Sequence, residues 1–132
     1  MEEHVELLKK YKFEKQLKKL NKILHRKSVL IYGAGLFFKE IKDNYDLSKL
    51  NIIGISDRKY QLNQEGQEDL GYKIIPFAKI FNYKPDCILI ATLNTYNIYQ
   101  NLNNNKKTKE AKIKILPMVE KPFFDLLKEV LG

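Results

Sequence analysis

Cysteine is almost absent from this chain: Cys87 is the only one in 132 residues. A lone thiol closes no internal disulfide, and cysteine usage of this kind implies a cytoplasmic setting. Long apolar runs are missing as well. No stretch of about 18 apolar residues occurs, so nothing reads as a transmembrane helix. The opening MEEHVELLKKYKFEK has no signal-peptide core. Arginine is scarce: the 24 basic residues comprise 22 lysines, Arg26 and Arg58, against 16 acids, for a net charge of +8. That charge invites a nucleic-acid reading. However, arginine is the favoured residue for bidentate recognition of phosphates and bases. Its scarcity, alongside an abundance of Lys, Asn, Ile and Tyr, reads instead as codon bias with a solvated lysine surface. Nucleic acid is therefore not expected as a partner.

Ser28 to Glu40, SVLIYGAGLFFKE, organises what is present. Val29-Leu30-Ile31-Tyr32 is the continuous apolar run of a strand buried on both faces. Gly33-Ala34-Gly35 follows, and then a helix-compatible run begins at Leu36-Phe37-Phe38. Strand, glycine turn and helix form the context in which such a turn holds a phosphate. The new helix aims its free N–H groups and the positive end of its dipole at that point. Phe38 falls where the dinucleotide fingerprint wants a small residue. Asp57 closes the second strand, Asn51–Ser56, and lies 57 − 33 = 24 positions after the first glycine. In dinucleotide sites an acid at about that spacing accepts hydrogen bonds from ribose hydroxyls. Arg58 and Lys59 follow it, and could meet a 2′-phosphate or a diphosphate, or remain solvated.

Before this unit, residues 2–27 read as one amphipathic helix, apolar at Val5, Leu8, Phe13, Leu17, Leu20 and Leu24. The first 27 residues carry nine basic groups against four Glu, so 9 − 4 = +5. The helix either packs on the sheet or a neighbouring helix, or offers a docking face for a homodimer or partner enzyme. Its apolar face lacks the tryptophan of a membrane-surface helix. Beyond Asp57, residues 61–71 form a polar loop, Tyr72–Ile75 a short third strand stopped by Pro76, and residues 77–81 a brief helix. Cys87–Ala91 is an all-apolar fourth strand, with its cysteine buried and inert. Ala91, Thr92 and Asn94 then lie where this strand end meets the glycine turn, and Thr92, Asn94 and Thr95 are cap types ahead of a helix carrying Tyr96, Ile98, Tyr99 and Leu102. Asn101–Lys107 reads as a mobile polar tip, Lys112–Leu116 as an edge strand, and residues from Pro122 onward as a last helix.

Strands alternating with helices argue for an α/β fold. The expected fold is a Rossmann-like parallel sheet of five strands, in order 3-2-1-4-5, with helices on both faces. It occupies residues 28–132 behind an N-terminal helix over 1–27. Ligands bind such sheets at the carboxyl ends of the strands, where the order switches. The candidate ligand residues are Gly33, Ala34, Gly35, Leu36, Phe37, Asp57, Arg58, Ala91, Thr92 and Asn94.

Tyr32-Gly33-Ala34-Gly35, Ile53–Asp57, Gly71–Pro76 and Asp86–Ala91 together resemble the Rossmann-like domain attached to bacterial capsule and lipopolysaccharide biosynthesis proteins. They are also similar to the N-terminal sugar-nucleotide-binding domain of surface-glycan sugar acetyltransferases. The resemblance spans about residues 28–102. It implies that Gly33, Gly35 and Asp57 face NAD(P) or a nucleotide sugar, in the service of surface-polysaccharide synthesis. The partner catalytic domain of those proteins is absent from the sequence. No catalytic set appears within it either. Tyr11-x-x-x-Lys15 stands on the first helix, the wrong place for a short-chain dehydrogenase, and His4 and His25 have no second metal ligand at useful spacing.

Overall fold

Leu8 and Phe13 explain why the first element is not a single helix. Both are fully buried, yet they stand five residues apart, and five residues turn an α-helix about 140° past a full revolution. One straight helix cannot turn both side chains to one core. In the computed structural model, which describes residues 2–93 and 95–120, the chain breaks between them. The first helix, α1, spans Glu2–Lys10, and α2 spans Phe13–Ile23. Lys12 joins them in the left-handed conformation at φ 55°. The expected helix over 2–27 is therefore two. Leu8, Phe13, Leu17, Leu20 and Leu24 all enter the main core, so of the two expected roles, packing within the chain is the one this apolar face fills.

Strand β1 (Ser28–Tyr32) runs parallel to β2 (Asn51–Ser56) on one side and to β5 (Cys87–Ile90) on the other; β6 (Lys114–Pro117) lies outside β5. The sheet thus has four strands, in the order β2-β1-β5-β6. Alternate side chains separate its two faces. Val29, Ile31, Cys87 and Leu89 face the core shared with α1, α2 and α3 (Leu36–Asn44). Leu30, Tyr32, Ile88 and Ile90 face a second core with Leu102 of α4 (Thr95–Asn103). Two side-chain clasps tie distant segments to this frame. Asp86 Oδ2 accepts from the Ser28 N–H at 2.8 Å. The Gln16 amide exchanges two hydrogen bonds with the Glu120 backbone, at 2.9 and 2.7 Å.

The expected third strand, Tyr72–Ile75, does not join the sheet, because a hairpin takes its backbone. Glu68–Asp69 (β3) and Tyr72–Lys73 (β4) pair antiparallel around Leu70 and Gly71, both at positive φ (53° and 82°), the geometry of a two-residue hairpin turn. The Ile74 N–H donates to Gln67 O, and Ile74 O accepts from Gly66 N–H. Pro76 has no N–H to offer. What remains for the sheet is one parallel bridge, Ile55 to Ile74, with the Ile75 N–H donating to Ile55 O at 2.8 Å.

The asparagine-rich tip is also ordered differently from expectation. It closes α4 and opens α5 (Lys106–Ala111), anchored by the buried Leu102 and Thr108. The 3-10 turns Leu62–Gln64 and Phe77–Tyr83 replace part of the expected loop and the brief helix. The helix expected from Pro122 lies outside the described residues.

Candidate functional site

The carboxyl ends of β1, β2 and β5 converge on the turn between β1 and α3. Gly33 holds φ 115°, and a Cβ there would come within 2.5 Å of Thr92 Cγ2 and 2.9 Å of Ala91 O. Its N–H donates to Ser56 O at 2.8 Å. Gly33 is therefore required by the backbone and by the closeness of the strand after β5.

Ala34 is buried, and both of its backbone polar groups are engaged. Its N–H donates to Asp57 Oδ2 at 2.8 Å, and its carbonyl accepts from Lys59 Nζ at 2.6 Å. Asp57 Oδ1 accepts from the Lys59 N–H at 3.1 Å. The acid expected to meet a ribose thus fastens the turn to the end of β2. Ala34, expected to meet the ligand, has no backbone donor or acceptor left free of these partners.

Gly35 differs. It caps α3 in extended conformation, at φ −95° and ψ −163°, without a side-chain hydrogen bond. A Cβ built on it has nothing within 4 Å. The first-turn N–H groups of a helix have no partners within the helix, and Gly35 stands at that end of α3. Leu36, next in the chain, is exposed, whereas Phe37 turns into the core and meets the His4 ring edge-on at 5.4 Å. Phe37 can therefore face a ligand only through its backbone. Phe38, at the fingerprint's small position, is wholly buried against Tyr72, with ring centroids 6.0 Å apart. A phenylalanine is accommodated there because the third-strand segment leaves the sheet and Tyr72 packs over α3.

Across the turn, Ala91 is buried, its N–H donates to Tyr32 O, and its carbonyl lies against Gly33. Among the described residues, Thr92 Oγ1 is buried without a hydrogen-bond partner, and so is Ser56 Oγ. Buried hydroxyls without partners are uncommon and costly. Ser56 was not among the expected site residues, although a serine ending the strand NIIGIS was a visible signal. Tyr32 was missed as well. Burial raises its phenol above the ordinary value, and the positive charge of Arg58 pulls the other way. Arg58 itself is exposed, as are Leu93 after Thr92 and Phe77, whose ring meets Tyr32 edge-on at 6.0 Å. Asn94 lies outside the described residues.

Surface hollows are also present away from the turn. A cleft of about 470 Å³ at the α1–α2 break is walled by Lys9, Lys12, Lys15 and Lys18, with Phe13 and Tyr45. Glu14 also lines it, so it offers ammonium groups, a carboxylate and aromatic surface, whereas the turn brings together glycine space, hydroxyls and cations at the carboxyl ends of the strands. Among the described residues no cluster of His, Cys, Asp and Glu could hold a metal ion, and no helix is long and apolar enough to cross a membrane.

Among the described residues, a four-stranded parallel sheet with helices on both faces and a glycine turn at its switch point make this an α/β domain. Residues 25–120 match the family described as C2185-like, N-terminal, and the chain belongs to that family. No curated protein matches it. Among solved structures it is similar to one described as RSP in complex with β-NAD+ and operator DNA, at 20% identity and a TM-score of 0.52, over 89% of this chain and 62% of that one. The likeness is one of fold, and this chain spans under two thirds of that protein's length. The expectation that nucleic acid plays no part gains no support from such a neighbour.

Proposed function

We propose that the chain is a nucleotide-binding module whose ligand lies across the carboxyl edge of the sheet, with a phosphate over Gly35 at the start of α3. NAD(P) or a nucleotide sugar is the ligand class. The observation that carries this reading is the open space at Gly35. Gly33 is glycine because the fold allows nothing else, but Gly35 has ordinary φ and an unobstructed Cβ direction. Ser, Asn or Asp would cap the helix at least as well. A glycine retained where the fold has room for a side chain keeps the approach to the helix N-terminus clear. The unpartnered Thr92 hydroxyl and the exposed Leu36 and Leu93 supply a hydrogen-bonding group and apolar contacts beside that point. The neighbour solved with β-NAD+ makes NAD(P) the first ligand to try. Service in surface-polysaccharide synthesis, and a nucleotide sugar as ligand, rest on the resemblance in sequence alone. Titration calorimetry of the parent and Gly35→Val with NAD+, NADP+ and UDP-sugars tests the reading. Expected is binding by the parent and at least about a tenfold loss in a folded variant, since a valine would occupy the space of the phosphate. Equal affinity in both would move the phosphate away from this turn.

Contact with nucleic acid is a second reading with one observation in its favour. Lys15, Lys18, Lys19 and Lys22 are exposed on the outward side of α2, and among the described residues none of them forms a salt bridge. A homodimer or partner enzyme that docked on α2 would meet this same lysine side. Retention of duplex DNA at low salt, lost steeply as salt rises, would favour the nucleic-acid reading.

A further inference from the structure

The acid at the end of β2 faces inward, and a rare arginine follows it. Resting on the nucleotide reading above, we propose that Arg58, with Lys59 beside it, makes this a site for a ribose that carries a phosphate, so that an NADP-type dinucleotide binds in preference to NAD+.

Three observations carry this. First, each carboxylate oxygen of Asp57 already accepts a backbone N–H, Oδ2 from Ala34 at 2.8 Å and Oδ1 from Lys59 at 3.1 Å. An acid that discriminates for a bare ribose needs its oxygens turned to the 2′- and 3′-hydroxyls; this one is directed to the turn. Second, the two side chains that follow are cations at the same strand end. Arg58 is exposed and directly follows Asp57 at the carboxyl end of β2. The Lys59 ammonium is half exposed, donates to Ala34 O at 2.6 Å, and has Asp69 Oδ2 at 3.9 Å. An ammonium has three donors, so the bond to Ala34 leaves capacity for an incoming anion. Third, 22 of the 24 basic residues are lysine. In a composition so biased against arginine, one of the two arginines stands at this position, where a planar fork can take two phosphate oxygens at once. The structural neighbour was solved with β-NAD+, so this preference would set the two proteins apart.

The test is calorimetric titration of NADP+ against NAD+, and of adenosine 2′,5′-bisphosphate against 5′-AMP, with parent, Arg58→Ala and Arg58→Lys. Circular dichroism confirms that each protein is folded. The expected result is a preference for the 2′-phosphorylated ligand of about tenfold to a hundredfold, the range for a charge-assisted hydrogen bond. Arg58→Ala should bring the ratio close to one, and Arg58→Lys, which keeps the charge and loses the fork, should leave it in between. NAD+ binding as tightly as NADP+, or Arg58→Ala leaving the ratio unchanged, would overturn the inference. Binding of UDP-sugars with neither dinucleotide would overturn it while the nucleotide reading stands. Binding of none of these ligands would remove both.

Discussion

Gly33 and Gly35 stand at opposite ends of one turn, in very different surroundings. The Gly33 end is enclosed: its φ is positive, the Thr92 methyl and the Ala91 carbonyl crowd it, and its N–H is tied to Ser56. The Gly35 end is open, with ordinary φ and empty space where a side chain would begin. Between them Ala34 is held by Asp57 through its N–H and by Lys59 through its carbonyl. The first half of the turn belongs to the fold, and the second half is left clear. A glycine motif read as one unit therefore joins two requirements, one of backbone and one of access.

Substitutions can separate the two halves. Gly33→Ala should have the largest effect on stability. A Cβ at 2.5 Å from Thr92 Cγ2, on a backbone that L-residues avoid, should cost about 3 kcal/mol from strain and overpacking together, read as a fall in the urea midpoint. Little loss there would mean that the turn can relax and that the contrast is weaker than the geometry implies. Asp57→Ala comes next. It leaves the Ala34 and Lys59 N–H groups without their acceptor, at about 1–3 kcal/mol. Asp57→Asn, which keeps one acceptor oxygen, should lose less. An Asp57→Ala protein as stable as the parent would show that the clasp does not hold the turn. The smallest effect on stability belongs to Gly35→Val, about 1 kcal/mol or less, set by valine being a poorer cap than glycine. If Gly35→Val unfolds the protein as readily as Gly33→Ala, the two ends are alike and the opening over α3 is not reserved for a ligand.

The enclosed half was easier to read from sequence than the open one. Val29–Tyr32, Gly33 and the run after Leu36 announce strand, turn and helix through local chemistry alone, and so do the apolar runs at Ile52–Ile55 and Cys87–Ile90. The break in the N-terminal helix was present as the five-residue step from Leu8 to Phe13, a phase error concealed by the regular spacing around it. The failure of the third strand was not legible. It depends on Leu70, a residue without special turn propensity, adopting φ 53° so that a hairpin captures the backbone before the sheet does. The direction of Asp57 was hidden for a related reason. Spacing placed it at the strand end, but whether a carboxylate turns outward or toward the neighbouring turn is decided by packing across about two dozen residues. In Asn101–Lys107 the polar residues concealed Leu102, whose burial anchors the segment.

Cys87 gives this architecture a built-in clock. Its thiol sits at the start of the strand between β1 and β6, fully buried, and burial pushes its pKa up to about 12. A disulfide reagent needs a thiolate and a path to it. Its side chain belongs to the core on the helix-covered face, beside a hollow lined by Leu24 and Lys27, so the native protein should react during excursions that lift the end of α2 from that face. With a single thiol per chain, one colorimetric trace follows those openings without any added probe. A saturating ligand on the carboxyl edge should slow the trace in proportion to the stability it adds. Rapid labelling that no ligand alters would mean that the end of α2 lifts locally, independently of the turn.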